Sequence, residues 1–120
     1  MNEQIAGLLY SLGITANYQG YFFTIYAVEL AASDPSRLVL VTKDLYPAVA
    51  ARFSSTGSRV ERNLRHIAEL AWRTNPQLLQ DMAGYSLDHR PCASRFIAIL
   101  TIQYKKLLTR EDPNGQQRLF

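Results

Sequence analysis

The segment Tyr46–Trp72 reads YPAVAARFSSTGSRVERNLRHIAELAW and divides into two helical patterns around a short turn. Pro47 suits the first turn of a helix, where the N–H that proline lacks would have no partner in any case. The apolar residues that give this first helix an inner face are Val49, Ala50 and Phe53. The cluster Ser54-Ser55-Thr56-Gly57 has the composition of a turn, so the first helix ends before it.

The second pattern, from about Ser58 to Arg73, predicts the clearest helix of the chain. Its apolar residues recur at i, i+4, i+7, i+8 and i+11 and form one face: Val60, Leu64, Ile67, Ala68 and Ala71. At about 100° per residue, the opposite face carries the polar residues Arg59, Glu61, Arg62, Arg65, His66 and Glu69. Two helices joined by four residues, over about Tyr46–Arg73, are the layout of a helix-turn-helix. In that motif the second helix enters the major groove of DNA.

The charge of this region also indicates an anionic partner. Residues 52–73 hold five arginines against Glu61 and Glu69, whereas the whole chain has a net charge of +3. We expect Arg59 and Arg62 in the first turn of the second helix, where the positive end of the helix dipole disfavours cations by roughly a few tenths of a kcal/mol. A bound anion explains such a placement better than helix stability does. The alternative is a solvated helix with arginines placed at random.

The rest of the chain also has helical spacing. The first helix is marked by Ile5, Leu8, Leu9 and Leu12, with Gly13 as a left-handed cap. A second helix begins after Gly20 and ends near Ser33-Asp34-Pro35, because the residue before a proline avoids the helical region. Leu38–Val41 is β-branched enough for a short strand, but no partner strand follows, which favours a helix or connector. A short helix over Leu78–Met82 ends at Gly84.

The last predicted helix has Ser94 as its N-cap and an apolar stripe of Phe96, Ile97, Leu100, Tyr104 and Leu107. The sequence therefore predicts an all-α fold, a compact bundle of about five or six helices containing one helix-turn-helix. Its length of 120 residues and 48% hydrophobic content suit one folded domain. We expect that domain over residues 1–110 and a flexible C-terminal tail over 111–120.

Several classes of protein are disfavoured by what the sequence lacks. The longest apolar runs, such as Ile97–Leu100, are far below the roughly 18 residues that span a bilayer. No leader pattern opens the chain, so a cytoplasmic location is expected and no membrane partner. Cys92 is the only cysteine, which leaves no internal disulfide and no thiolate zinc cluster. Without a glycine-rich phosphate loop, a nucleophile–base pair or metal-ligand spacing, the sequence predicts no enzyme and no cofactor.

The chain resembles the C-terminal DNA-binding domain of stage 0 sporulation protein A, the response regulator of sporulation in Firmicutes. The most specific match is the block S-R-V-E-R-x-L-R-H at Ser58–His66. The other matching residues are Thr42–Pro47, Ala71-Trp72, Gly20-Tyr21, Gly84-Tyr85, Pro91, Ser94 and Phe96–Ala98. The resemblance extends over about Ile5 to Leu107.

The resemblance implies a transcription regulator that binds double-stranded DNA at TGTCGAA-like boxes, often in tandem. Carried over by position, the residues that read bases are Arg59, Glu61 and Arg62. Those that contact the DNA backbone are Ser58, Arg65 and His66, with Arg90 as a further contact. Arginine can bind guanine O6 and N7 together, and a carboxylate can accept from cytosine N4. RNA polymerase and a second copy of the chain on DNA are further partners that the resemblance allows, and the bacterial nucleoid is the expected location.

Three features depart from the family pattern. The family's domain normally follows a receiver domain, whereas here only about four residues precede the first helix. The chain is thus expected to lack that receiver, either as an excised fragment or as a stand-alone protein, and to bind DNA without phosphorylation. The loop between Tyr85 and Pro91 is shorter than in the family, and Arg95 replaces an acidic residue. These changes weigh against the contact of Arg90 and against a C-terminal dimer contact.

Some of these residues also have a purely structural interpretation. Ser58-x-x-Glu61 fits a capping box, in which Glu61 would bind the Ser58 backbone instead of a base. His66 fits a plain surface histidine as well as a phosphate contact, and His89 and Cys92 have no partners that suggest chemistry. The aromatic residues at helical spacing favour core packing over base stacking: Tyr21, Phe22, Phe23, Tyr26 and Trp72.

For the whole chain, the alternative function is a protein-interaction module that keeps the fold and modulates a full-length relative.

Overall fold

The computed structural model describes residues 2–111, and within them every regular element is helical, as predicted from the sequence. The six α-helices are α1 (Glu3–Ser11), α2 (Tyr21–Ser33), α3 (Tyr46–Arg52), α4 (Gly57–Thr74), α5 (Pro76–Ala83) and α6 (Ala93–Glu111). Of the predicted flexible tail over 111–120, Glu111 ends α6 and the rest lies outside the described residues. None of the described helices is long and apolar enough to cross a membrane.

Helix α1 begins and ends with the caps that its sequence suggests. The Ile5 amide donates to Oδ1 of Asn2 at 3.1 Å, which satisfies one of the free N–H groups of the first turn. At the other end Gly13 has φ +85°, and the Ile14 amide donates to the Leu9 carbonyl at 2.8 Å. This left-handed residue, as predicted, closes the helix in a Schellman arrangement.

The connector between α2 and α3 contains no strand, which confirms the helix-or-connector prediction for Leu38–Val41. A 3₁₀ turn covers Pro35–Leu38 and one π-helical turn covers Val41–Leu45, directly before α3. Asp34 caps the 3₁₀ turn: its Oδ1 accepts from the Ser36 hydroxyl at 2.6 Å and from the Ser36 amide at 3.2 Å. The bond from the Ser36 side chain is the main reason that the pKa of Asp34 is lowered.

Two predicted helix starts are wrong, each by a small shift toward the N-terminus. Helix α4 begins at Gly57, not Ser58, because the Thr56 hydroxyl accepts from the Arg59 amide at 3.2 Å and is therefore the N-cap. Helix α6 begins at Ala93, so Ser94 lies within the first turn and is not the cap. For α4 the sequence offers two candidate caps close together, Thr56 and Ser58, and local propensity does not distinguish them.

The core joins the two long central helices to the helix-turn-helix. Helix α6 packs against α1, α2, α4 and α5, and α2 also packs against α3 and α4. Large side chains with no exposed surface come from α1, α2, α4 and α6 and include Ile5, Leu9, Val28, Leu64, Ile67, Phe96 and Leu100. Helix α4 is thus held from behind by α2 and α6, and within residues 2–111 its polar side is left exposed.

The aromatic residues of α2 only partly follow the core-packing prediction. Tyr21 is buried, but Phe22 is 48% exposed and makes only an edge contact with the Tyr21 ring. Phe23 and Tyr26 are half-buried and surround Phe53, with ring centroids 5.3 and 6.0 Å away. These contacts attach α2 to the turn that precedes α4. Phe22 is the exception because it lies on the outer side of α2.

Candidate nucleic-acid interface

Helices α3 and α4 form a helix-turn-helix around residues 53–56. Ala50 is buried at the crossing, as a small residue at that point must be for the helices to approach closely. Ser54 has φ +52°, and the Ser55 amide donates back to the Ala50 carbonyl at 2.8 Å. This hydrogen bond closes the turn and sets the direction in which α4 leaves it.

Helix α4 has a fully buried inner stripe and an exposed polar face. The five predicted inner residues have no exposed surface at all: Val60, Leu64, Ile67, Ala68 and Ala71. Ser58, Arg59, Arg62, Arg65 and His66 are exposed, and Glu61 and Glu69 are half-buried. The structure thus brings six of the seven sequence-predicted site residues together on one face of one helix. We call this surface the α4 face, defined by Ser58, Arg59, Glu61, Arg62, Arg65, His66 and Glu69.

The start of α4 corrects one part of the charge argument. With Thr56 as N-cap, Arg59 is the third residue of α4 and lies in its first turn, but Arg62 lies one turn further on. The unfavourable interaction with the helix dipole falls off within the first turn, so it applies to Arg59 and not to Arg62. Only Arg59 is therefore placed at an electrostatic cost that an anionic partner would offset.

Glu61 is not part of a capping box. Ser58 lies inside the helix, and the position from which a side chain would reach back to the cap is occupied by Arg59. The Glu61 carboxylate instead accepts from Arg65 at 3.2 Å, an i,i+4 ion pair on the helix surface. The capping interpretation is wrong because Thr56, two residues earlier, already holds the free amide of Arg59.

Arg90 reaches the α4 face from a separate part of the chain. It lies between α5 and α6, and its guanidinium is 3.8 Å from the Glu69 carboxylate of α4. His89, beside it, is exposed, with Nδ1 3.0 Å from the Arg90 carbonyl oxygen. Arg90 is therefore the one predicted site residue outside α4 that adjoins the same face, at the C-terminal half of the helix.

Two grooves lie beside the N-terminal half of α4. Most of the residues that line them are not predicted as site residues from the sequence. One, of about 370 Å³, lies between α4 and the start of α2 and includes Gln19, Gly20 and Ser55. The other, of about 600 Å³, lies between α4 and the end of the connector and includes Thr42 and Tyr46. The segments Gly20-Tyr21 and Thr42–Pro47 are part of the family resemblance. That resemblance is the one feature of the sequence that could have indicated these groove residues.

Gly20 explains how α2 comes so close to α4. Its φ is +92°, and a Cβ built there would lie 3.0 Å from both the Asn63 carbonyl oxygen and Cγ1 of Ile67. Only glycine combines this backbone conformation with this lack of space. The close approach fixes the position of α4 from the side of the first groove.

The remaining reactive groups form no second site with these residues. Cys92 is exposed, and a hydrogen bond with Ser94 is the main cause that lowers its pKa. Arg95 donates to the Tyr85 hydroxyl at 2.9 Å on the outside of α6. Within residues 2–111 no cluster of three histidine, cysteine or acidic side chains is arranged to hold a metal ion.

A buried inner stripe, a capped start and an arginine-bearing outer face make this chain a helix-turn-helix domain. Residues 5–104 match the protein family described as the C terminal of sporulation initiation factor Spo0A. The chain belongs to this family, whose members are DNA-binding effector domains and regulators of sporulation transcription rather than enzymes. Double-stranded DNA is thus the partner that the family assigns.

Proposed function

We propose that this chain is a sequence-specific transcription regulator whose helix α4 lies in the major groove of TGTCGAA-like boxes. The observation that supports this most is the α4 face, where three arginines lie exposed on a helix whose opposite stripe is completely buried. A rigid helix is needed because base readout requires side chains that start from fixed positions. The DNA-binding unit in this proposal is residues 1–110, acting at the bacterial nucleoid.

The residues that read bases in this proposal are Arg59, Glu61 and Arg62. The two arginines are exposed at the N-terminal half of α4, which is the part of a recognition helix that meets base edges. Each has a planar fork that fits O6 and N7 of guanine. Glu61 uses one carboxylate oxygen for Arg65, which leaves the other to accept from cytosine N4.

The backbone contacts in this proposal are Ser58, Arg65, His66 and Arg90. Arg65 is held by Glu61 in the free protein, and Arg90 approaches Glu69 only loosely at 3.8 Å. Exposed ion pairs of this kind are worth at most about 1 kcal/mol, so a DNA phosphate can readily replace the carboxylate. RNA polymerase and a second copy of the chain on a tandem box are further partners in this proposal.

A binding titration tests this function with a labelled TGTCGAA duplex against a scrambled duplex of the same composition. Three base contacts worth at least about 1 kcal/mol each predict a preference of about 100-fold or more for the box. Lys106→Ala is the matched control, because Lys106 is an exposed cation in the C-terminal half of α6, two residues after Tyr104, which contacts Asn2, and it should leave the preference unchanged. Equal affinity for both duplexes would contradict sequence-specific binding. No binding to either at low salt would favour the protein-interaction module.

A further inference from the structure

Tyr46 is a buried residue whose hydroxyl has no hydrogen-bond partner among the described residues. Its side chain is only 4% exposed, and it borders the 600 Å³ groove between the connector and α4. Most buried polar groups in proteins have a partner, because an unsatisfied one costs about 1–3 kcal/mol. Tyr46 adjoins the first turn of α4, where its Cβ lies 3.9 Å from the position that a Cβ on Gly57 would take. The groove is therefore the place where a partner for this hydroxyl can come from outside.

The other groups that border the groove are mostly donors. The amides of Gly57 and Ser58 are the first two of α4 and have no acceptor within the helix, whereas the next amide is taken by Thr56. Thr42 and Ser58 add hydroxyls, and Arg62 and Arg65 add positive charge. Free amides at a helix N-terminus with cations nearby are a favourable environment for an anion.

Glu61 is the one carboxylate that borders this groove, and Arg65 pairs with it at 3.2 Å. Burial, and secondly the charge of Glu61, raises the pKa of Tyr46 to about 12. The hydroxyl therefore keeps its proton at neutral pH and can donate that proton in a hydrogen bond. An anion that enters the groove meets walls that include the neutral Tyr46 and two arginines against one glutamate.

We propose that this groove holds one backbone phosphate of the bound duplex, with the Tyr46 hydroxyl as its innermost donor and Thr42 and the first amides of α4 around it. This inference rests on the proposed function, since it assumes that α4 binds duplex DNA. It adds a contact from Thr42 of the connector and Tyr46 of α3, beside the α4 face, that fixes how deeply α4 enters the major groove of the DNA. A phosphate contact carries no base information, so it affects all sequences alike.

Tyr46→Phe tests the proposal because it removes the hydroxyl and keeps the buried ring. We expect Tyr46→Phe to bind the box duplex and the scrambled duplex about tenfold more weakly by the same factor, since hydrogen bonds to charged groups are the stronger ones. The preference between the two duplexes stays at the wild-type value. The matched control is Tyr104→Phe, whose hydroxyl accepts from Asn2 at 2.7 Å on α6 and which should not change DNA affinity.

Duplexes with single neutral methylphosphonate substitutions then locate the contact. A methylphosphonate at one position should lower the affinity of the wild-type protein for the duplex about tenfold. The same substitution should not lower the affinity of Tyr46→Phe any further. Thr42→Val changes an exposed residue and is expected to fold, so it replaces Tyr46→Phe if that variant does not fold. In Thr42→Val, the methylphosphonate at that position should weaken binding by less than it does in the wild type. Wild-type affinity in both variants would overturn the proposal.

A change of preference at one base pair in Tyr46→Phe would also overturn it, because the hydroxyl would then act by positioning Glu61. Failure of the proposed function looks different. In that case the wild-type protein does not prefer the box over the scrambled duplex, or binds neither, before any variant is compared.

Discussion

At the scale of single residues, Thr56 determines where helix α4 begins. Its side chain accepts from the Arg59 amide, whereas the Ser58 hydroxyl lies inside the first turn and caps nothing. We predict that Thr56→Ala lowers the free energy of unfolding by about 1 kcal/mol, the usual value of an N-cap. Ser58→Ala should change it by less than about 0.5 kcal/mol, as surface changes do. Urea denaturation of both variants tests this, and equal losses would contradict the assignment of the cap.

Glu61 is expected to contribute little to stability and more to base preference. Glu61→Ala removes only the surface pair with Arg65, so we predict a loss of stability of about 0.5 kcal/mol or less. The same variant should change base preference in the duplex titration, because the carboxylate is a proposed reader. A variant that melts well below the wild type and keeps its base preference would show that Glu61 has only a structural role.

Tyr46 should make stability depend on pH in the alkaline range. Its pKa in the folded chain is about 12, above the ordinary value of about 10 that the unfolded chain keeps. Between these values the folded state binds more protons than the unfolded state, so stability falls as the pH rises from about 10 to 12. We predict a smaller decline for Tyr46→Phe over that range, measured by urea denaturation at several pH values. Parallel profiles for both proteins would contradict a buried, protonated hydroxyl.

At the scale of elements, three glycines allow the cost of a positive φ to be measured separately from the cost of a steric clash. Gly20 has positive φ and no room for a Cβ, Gly84 has positive φ with nothing within 4 Å, and Gly7 has neither constraint within α1. We predict that Gly20→Ala destabilises most, by about 2 kcal/mol or more, and Gly84→Ala by about 1 kcal/mol. Gly7→Ala should stabilise by about 0.5–1 kcal/mol, since alanine is the better helix former.

Thermal unfolding of the three variants gives the order directly. A Gly20→Ala protein as stable as Gly84→Ala would mean that the contact with Asn63 and Ile67 is easily relaxed. The position of α2 against α4 would then depend less on glycine than the geometry indicates. Gly7→Ala is the control, because it shows that an alanine substitution does not by itself lower the thermal stability.

How much could be predicted from the sequence also differs between elements. The buried stripe of α4 was predictable in full, because a 3.6-residue period in one long segment depends only on that segment. The starts of α4 and α6 were not. Thr56 competes with Ser58 for the cap of α4, and the preference of serine for cap positions placed the start of α6 too late. The groove walls at Thr42 and Gln19 could not be placed, because they meet α4 only through tertiary packing. The roles assigned to individual site residues remain predictions.

At the scale of the whole molecule, the fold holds α4 from behind and leaves one face for a partner. Helices α2 and α6 support the buried stripe, and Arg90 adjoins the same face from the loop between α5 and α6. The net charge of +3 is small, and the positive charge is concentrated on residues 52–73. We predict that affinity falls with salt with a log–log slope of about −2, as expected for the two proposed phosphate contacts by cations, Arg65 and Arg90. A titration series at several salt concentrations measures the slope, and a slope near zero would contradict binding through this face.

The measurement that tests the central claim most directly is the affinity of four proteins for every single-base variant of a TGTCGAA duplex. The proteins are the wild type, Arg59→Ala, Arg62→Ala and Arg65→Ala. We predict that Arg59→Ala and Arg62→Ala each lose about 1–3 kcal/mol of discrimination at one base pair, and at a different one for each variant. Arg65→Ala should weaken binding to all duplexes about equally. If Arg59→Ala and Arg62→Ala keep the wild-type preference at every position, α4 does not read the sequence with these residues.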